Sequence, residues 1–116
     1  MSLVLYHNPR CSKSRATLAL LEDQGVTPTI RLYLDTPPSA DELEQLLTML
    51  GMADARSLMR KGEDAYKTER LADSTLSQAE LIAAMSNHPK LIERPIAIHQ
   101  GQARIGRPPE SVLEIL

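Results

Sequence analysis

The sequence predicts an α/β fold in which helices pack on a mixed sheet. Three observations point there. The chain opens with a β-α-β rhythm, which demands a parallel strand pair joined by a right-handed crossover. Two Ser-x-x-Glu boxes, Ser39/Glu42 and Ser77/Glu80, announce helices in the middle. Near the end, two short apolar runs flank Gln100-Gly101, the pattern of an antiparallel hairpin. A sheet that holds both pairings, covered by the helices, is the economical arrangement.

Taken in order, residues 2–6 (SLVLY) read as a short buried strand, and Asn8-Pro9 marks the loop after it. From about 12 to 24 the pattern is helical. Ala16, Ala19 and Leu20 share a face, Leu18 and Leu21 lie beside them, and Gly25 is a natural stop. Residues 29–34 set Ile30, Leu32 and Leu34 against Thr29, Arg31 and Tyr33, the alternation of a strand. Thr36-Pro37-Pro38 breaks it. Ser39 then caps a helix whose Leu43, Leu46, Leu47 and Leu50 form one apolar stripe, and Gly51 ends it.

Residues 52–76 are polar and irregular and predict short helices. A helix from Ser77 follows, carrying Leu81, Ile82 and Met85, and Pro89 closes it. Pro95 precedes a strand over 96–99, and a second strand covers 102–105. Gly106-Arg107-Pro108-Pro109 is a rigid loop before a last helix, with Val112, Leu113 and Leu116 on its inner face. The order is β-α-β-α, a helical stretch, then β-β-α. It reads as a single domain over 1–116 with a helical insertion at about 52–90.

Composition narrows the function. At 116 residues and 12.9 kDa the chain suits one domain with a core of its own. Hydrophobic residues make up 42% and charged residues 24%, ordinary for a globular protein and wrong for a disordered tail. A net charge of −2 argues against a general nucleic-acid binder, and three Tyr without Phe or Trp leave little for base stacking. No apolar run approaches a membrane span, and no signal-peptide pattern opens the chain, so the expected location is cytoplasmic. Three scattered histidines and one cysteine do not supply metal-ligand spacing, so no metal is expected.

That one cysteine, Cys11, carries the chemistry. It stands at the mouth of the first helix, where unpaired N–H groups and the helix dipole favour a thiolate and bind anions. Arg10, Lys13 and Arg15 add positive charge nearby. A C-x-x-C redox pair needs a thiol at 14, where Ser14 stands, so the chain cannot close its own disulfide there. A phosphatase-type loop needs an arginine at 17, where Thr17 stands. A papain-like pair needs a base near the thiol with its own orienting group. His7 is near in sequence, yet nothing marks an acyl-transfer site. What remains is a single thiolate able to attack an oxyanion centre or a disulfide, completed by a thiol from outside.

At these residues the sequence resembles a family. His7-Asn8-Pro9-x-Cys11-x-x-Ser14-Arg15 after a strand is similar to the active-site loop of the ArsC-type arsenate reductases. Arg60 within Leu58-Met59-Arg60-Lys61, then Glu93-Arg94-Pro95-Ile96, then Gly106-Arg107-Pro108 follow in the family's order and spacing. The resemblance covers roughly residues 3–116. It is closest to the YfgD-type branch, with Arg10, Ser12 and Lys13 around the cysteine where many ArsC reductases have small residues.

The resemblance implies a thioredoxin-like fold with a helical insertion, and it makes Cys11 the nucleophile. It implies that Arg60, Arg94 and Arg107 surround the oxyanion, for which guanidinium forks offer paired donors. It also implies that Pro95 is the cis proline facing the cysteine. His7, Asn8, Ser14 and Arg15 would support the loop. Ser14 either donates to the thiolate or caps the helix, and His7 either orients the loop or packs as a satisfied residue.

The reaction implied is arsenate reduction. The Cys11 thiolate attacks arsenic and water leaves. Glutathione then adds, arsenic is reduced, and glutaredoxin resolves the resulting mixed disulfide. Arsenate or a similar oxyanion, glutathione and glutaredoxin are the expected partners, with no bound cofactor. The alternatives are a thiol oxidoreductase acting on another oxyanion or a glutathionylated partner, and an Spx-like regulator. Spx-type regulators typically carry the C-x-x-C that Ser14 removes. A monothiol-glutaredoxin-like iron–sulfur carrier shares the C-x-x-S spacing but would lack the three arginines.

Overall fold

A computed structural model of the protein describes residues 2–116. These residues form two compact units, one of 2–36 with 94–116 and one of 37–93.

The first unit holds the sheet. Its strands are β1 (Val4–Tyr6), β2 (Thr29–Arg31), β3 (Ile96–His99) and β4 (Gln102–Ile105), in the order β2-β1-β3-β4. β1 runs parallel to β2, with Leu5 opposite Ile30, and antiparallel to β3, with Leu5 opposite Ala97. β3 and β4 form the predicted hairpin. Gln100 and Gly101 turn it with φ of 53° and 76°, the paired positive values a tight two-residue hairpin requires.

Helix α1 (Ser12–Asp23) joins the parallel pair and ends as the glycine signal predicts. Gly25 sits at φ 79°, its N–H bonds Glu22 O, and Val26 N–H reaches back to Leu21 O. Leu3, Leu5, Leu21, Ala97, Val112 and Ile115 form the buried core of this unit, with Leu18 and Val26 packed against it.

Two expectations need correction. The strand predicted over 29–34 stops at Arg31, and its phase is reversed from Ile30 onward. Ile30 and Leu32 are each 40% exposed, whereas Tyr33 is buried and stacks on Tyr6 at 6.2 Å. The cause is local. β2 is an edge strand, and Leu32 O accepts from both Asp35 N and Thr36 N, so the chain turns over Tyr33–Asp35.

The closing helix is a 3-10 helix, Pro109–Ile115. Three residues per turn puts Val112 and Ile115 on the buried side, and Leu116 is left exposed.

The second unit is helical: α2 (Ala40–Leu50), α3 (Asp64–Thr68) and α4 (Gln78–Asn87), with 3-10 turns at Ala55–Leu58 and Pro89–Leu91. Both capping boxes form. Ser39 Oγ accepts from Glu42 N while Glu42 accepts from Ser39 N, and Ser77 and Glu80 repeat the pair. Leu43, Leu46 and Leu47 of α2 and Leu81 and Met85 of α4 are buried, and the two helices pack together. A bridge between Met59 and Ile92 ties the ends of the segment between them.

Candidate active site

The site begins with an unfinished helix. Cys11 occupies the position before α1, in extended backbone (φ −94°, ψ 124°), and no side-chain hydrogen bond closes the helix start. The Lys13 and Ser14 N–H groups instead act on the sulfur. Burial alone pushes the Cys11 thiol up. The N–H groups of Ser14 and Lys13, with a hydrogen bond and the charge of Arg94, outweigh it and hold the thiol below its ordinary value. The side chains of Arg10 and Lys13, the basic neighbours in sequence, are exposed and do not figure among these causes. Cys11 itself is half-buried, so the sulfur is reachable.

The loop before it is tied by its own polar groups. Asn8 O accepts from Cys11 N at 3.0 Å, and Asn8 Oδ1 accepts from Arg10 N at 3.0 Å. Asn8 N donates to Ser14 Oγ at 3.0 Å, and His7 Nδ1 lies 3.0 Å from the same hydroxyl. Arg15 Nη1 donates to Pro9 O at 2.9 Å.

Ser14 therefore does not cap the helix. It lies inside the first turn, fully buried, and its hydroxyl holds the loop while its backbone N–H serves the sulfur. His7 is buried too. Desolvation, then the charge of Arg15, lowers its pKa, so the imidazole is neutral at neutral pH.

Two arginines close on the sulfur from the other end of the chain. Arg107 Nη2 lies 3.8 Å from Cys11 Sγ, and Arg107 Nε donates to Arg94 O at 2.9 Å. Arg94 Nε is buried and, among the described residues, has no hydrogen-bond partner. The Arg94-Pro95 peptide bond is cis, as expected, and so is Arg107-Pro108, which the sequence did not single out.

Gly106 explains how Arg107 comes so near. Its N–H bonds Pro95 O at 2.8 Å. A Cβ there would meet Thr17 Oγ1 at 2.6 Å and Pro95 Cγ at 2.8 Å. Thr17, itself buried, is locked by donating to Lys13 O at 2.8 Å. A glycine directly before an Arg-Pro pair was the available signal of this close approach.

Cys11, His7, Asn8, Ser14, Arg15, Arg94, Pro95 and Arg107 thus all fall in the first unit. Arg60 belongs to the second. There its N–H bonds Leu91 O at 2.6 Å, and its Nη1 bonds Glu63 Oε1 at 2.6 Å. Among the described residues, no group of three or more His, Cys, Asp or Glu could hold a metal, and no helix is long and apolar enough to cross a membrane.

The sequence model of the ArsC family matches residues 6–115. This chain belongs to the ArsC family. The YfgD protein of Escherichia coli K12 is 61% identical over 112 residues, covering 97% of this chain and 94% of that protein. An arsenate reductase of Haemophilus influenzae is 54% identical over 116 residues, with both chains fully covered. The solved structure of an arsenate reductase from Vibrio cholerae superposes with a TM-score of 0.97 at 59% identity, covering 100% of this chain and 98% of that one. The ArsC-family fold here is thioredoxin-like, as the resemblance implied.

Proposed function

We propose that this ArsC-family protein is an arsenate reductase with Cys11 as its nucleophile. One observation carries the reading: a thiol of lowered pKa at an open helix start, faced by Arg94 and Arg107. A tetrahedral oxyanion needs several donors directed at one point, and Arg94 Nε is a buried donor without a partner among the described residues. Arg60 is the third guanidinium of the proposal, on the strength of the family pattern around Leu58-Met59-Arg60-Lys61.

The steps follow from the chain's own groups. The Cys11 thiolate attacks arsenic(V), and one arsenate oxygen leaves as water once protonated. Arg94 and Arg107 hold the remaining oxygens and the charge that gathers on them. A glutathione thiolate then attacks Cys11 Sγ. The S–As bond breaks with its electron pair moving to arsenic, arsenite(III) departs, and a Cys11–glutathione disulfide is left. Glutaredoxin resolves it by thiol–disulfide exchange and restores the thiolate.

Cys11 is the one cysteine in the sequence, so the second sulfur comes from another molecule. The reducing cytoplasm supplies such thiols. His7, Asn8, Ser14 and Arg15 hold the loop, and Pro95 faces the cysteine.

The test is arsenate-dependent glutathione oxidation with glutaredoxin present. Turnover that vanishes in Cys11→Ser supports the reading. A folded protein whose Cys11 alkylates rapidly at neutral pH yet turns over no arsenate would shift it to another oxidised substrate, such as a glutathionylated protein.

A further inference from the structure

Four loops gather at one end of the sheet. β1 and β2 run parallel, so the loops that follow them leave the same end. β3 enters and β4 leaves at that end, because each is antiparallel to its neighbour. In the order β2-β1-β3-β4, Arg94 and Arg107 flank the Cys11 loop on one side, and residues 32–35 flank it on the other. On that second side, within the sheet unit, lies a cleft of about 290 Å³. Its near wall is His7–Arg10, which leads into Cys11, and its far wall is Leu32, Leu34 and Asp35.

The far wall is held in place. His7 N donates to Arg31 O at 3.0 Å, Arg31 Nε donates to Thr36 O at 3.0 Å, and Tyr33 is buried on Tyr6. The cleft carries both signs of charge. Arg10 and Asp35 are exposed, and among the described residues neither charged side chain has an ion-pair partner. A bare oxyanion suits such a place badly, because Asp35 repels it. A small ligand with an ammonium, a carboxylate and a partly apolar chain suits it well, and the volume is at the lower edge of the ~300–1,000 Å³ common for small-molecule clefts.

We propose that this cleft is the subsite for the reducing thiol, with Asp35 taking the γ-glutamyl ammonium of glutathione and Arg10 a carboxylate. The proposal rests on the reading that glutathione reduces the Cys11–arsenic adduct. Displacement at sulfur is in line, so the attacking thiolate reaches Cys11 Sγ from the side away from arsenic. With the oxyanion held by Arg94 and Arg107, that is the β2 side, where the cleft lies. The new S–S bond forms as the S–As bond breaks. Its electron pair passes to arsenic, which goes from (V) to (III) and leaves as arsenite, while the two sulfurs are oxidised to the disulfide. Arg10 and Asp35 touch no reacting atom; they bind and orient the thiol.

The experiment follows arsenite release in single turnovers of the full chain with arsenate, without glutaredoxin. The thiol is glutathione or N-acetylcysteine, which has a carboxylate but no ammonium. Glutathione is an anion overall, so Asp35→Asn would speed its reaction if general electrostatics alone acted. The subsite predicts the opposite sign. The second-order rate constant with glutathione should fall roughly two- to fivefold, and that with N-acetylcysteine should not fall. Arg10→Gln should lower both constants, and constants unmoved by it would overturn the role given to Arg10. An unchanged or faster glutathione reaction in Asp35→Asn overturns the proposal, as does an equal fall with both thiols. If the unaltered protein still releases arsenite with glutathione in those cases, only the subsite falls. If it releases none, although arsenate binds Cys11→Ser in titration calorimetry, the glutathione reading falls and takes the subsite with it.

Discussion

The start of α1 in the sheet unit and the starts of α2 and α4 in the helical unit are built on opposite plans. In the helical unit, α2 and α4 begin with closed capping boxes, in which Ser39 with Glu42 and Ser77 with Glu80 satisfy each other's donors. In the sheet unit, α1 begins at Cys11 with no Ser, Thr, Asp or Asn cap, and the N–H groups of Lys13 and Ser14 act on the sulfur. The first plan maximises helix stability. The second leaves donors and a positive dipole end for an anion. The start of α1, open where the longer helices α2 and α4 are closed, marks where chemistry takes precedence over stability.

The strongest way to break this contrast is Cys11→Ser, which gives α1 the kind of cap residue that α2 has. Arsenate-dependent turnover should fall to background. On the acid side of the thiol titration, the serine should make the fold more stable by about 1 kcal/mol, read from thermal melts. A stable variant that still turns over would remove Cys11 from the chemistry.

Next in size is Arg94→Lys. It keeps the charge but loses the planar fork, so turnover should drop on the order of 100-fold in steady-state assays.

Gly106→Ala forces a Cβ into Thr17 and Pro95. A loss of about 1–3 kcal/mol in denaturant unfolding is expected, together with reduced activity as Arg107 is displaced. A neutral result would mean that the loop shifts freely.

The smallest effects belong to the closed helices. Ser39→Ala and Ser77→Ala should each cost about 1 kcal/mol of stability and leave the Cys11 alkylation rate untouched.

The contrast also shows what could be read from residues alone. The capping boxes, the glycine stops and the Gln100-Gly101 hairpin are local devices, and each formed where its residues stand. Strand 29–34 failed because its fate depended on its place at the sheet edge and on a turn over Tyr33–Asp35. Alternation alone could not show either. The last helix failed at Leu116 because a 3.6-residue period was assumed where the chain winds with three.

At the site, Cys11 was legible from its place after a strand, and Arg94 and Arg107 from the family motifs. Their convergence on one sulfur was not, since it joins residues nearly a chain length apart. The double duty of Ser14, hydroxyl to the loop and N–H to the sulfur, was equally hidden.

The central claim is that the open start of α1 and Arg94 keep Cys11 as a thiolate. The most direct test is the pH dependence of its alkylation rate, followed together with thiolate absorbance. The folded thiol has a lowered pKa. The anion should therefore persist to lower pH than that of an unperturbed thiol. Reactivity should be lost only as pH falls through that depressed value. By the same linkage, the stability that the thiolate adds above the unfolded thiol's pKa disappears over this window. A midpoint below that of the unfolded protein's thiol, moving up in Arg94→Lys, is the predicted result. A folded midpoint equal to or above that of the unfolded protein's thiol would contradict the account.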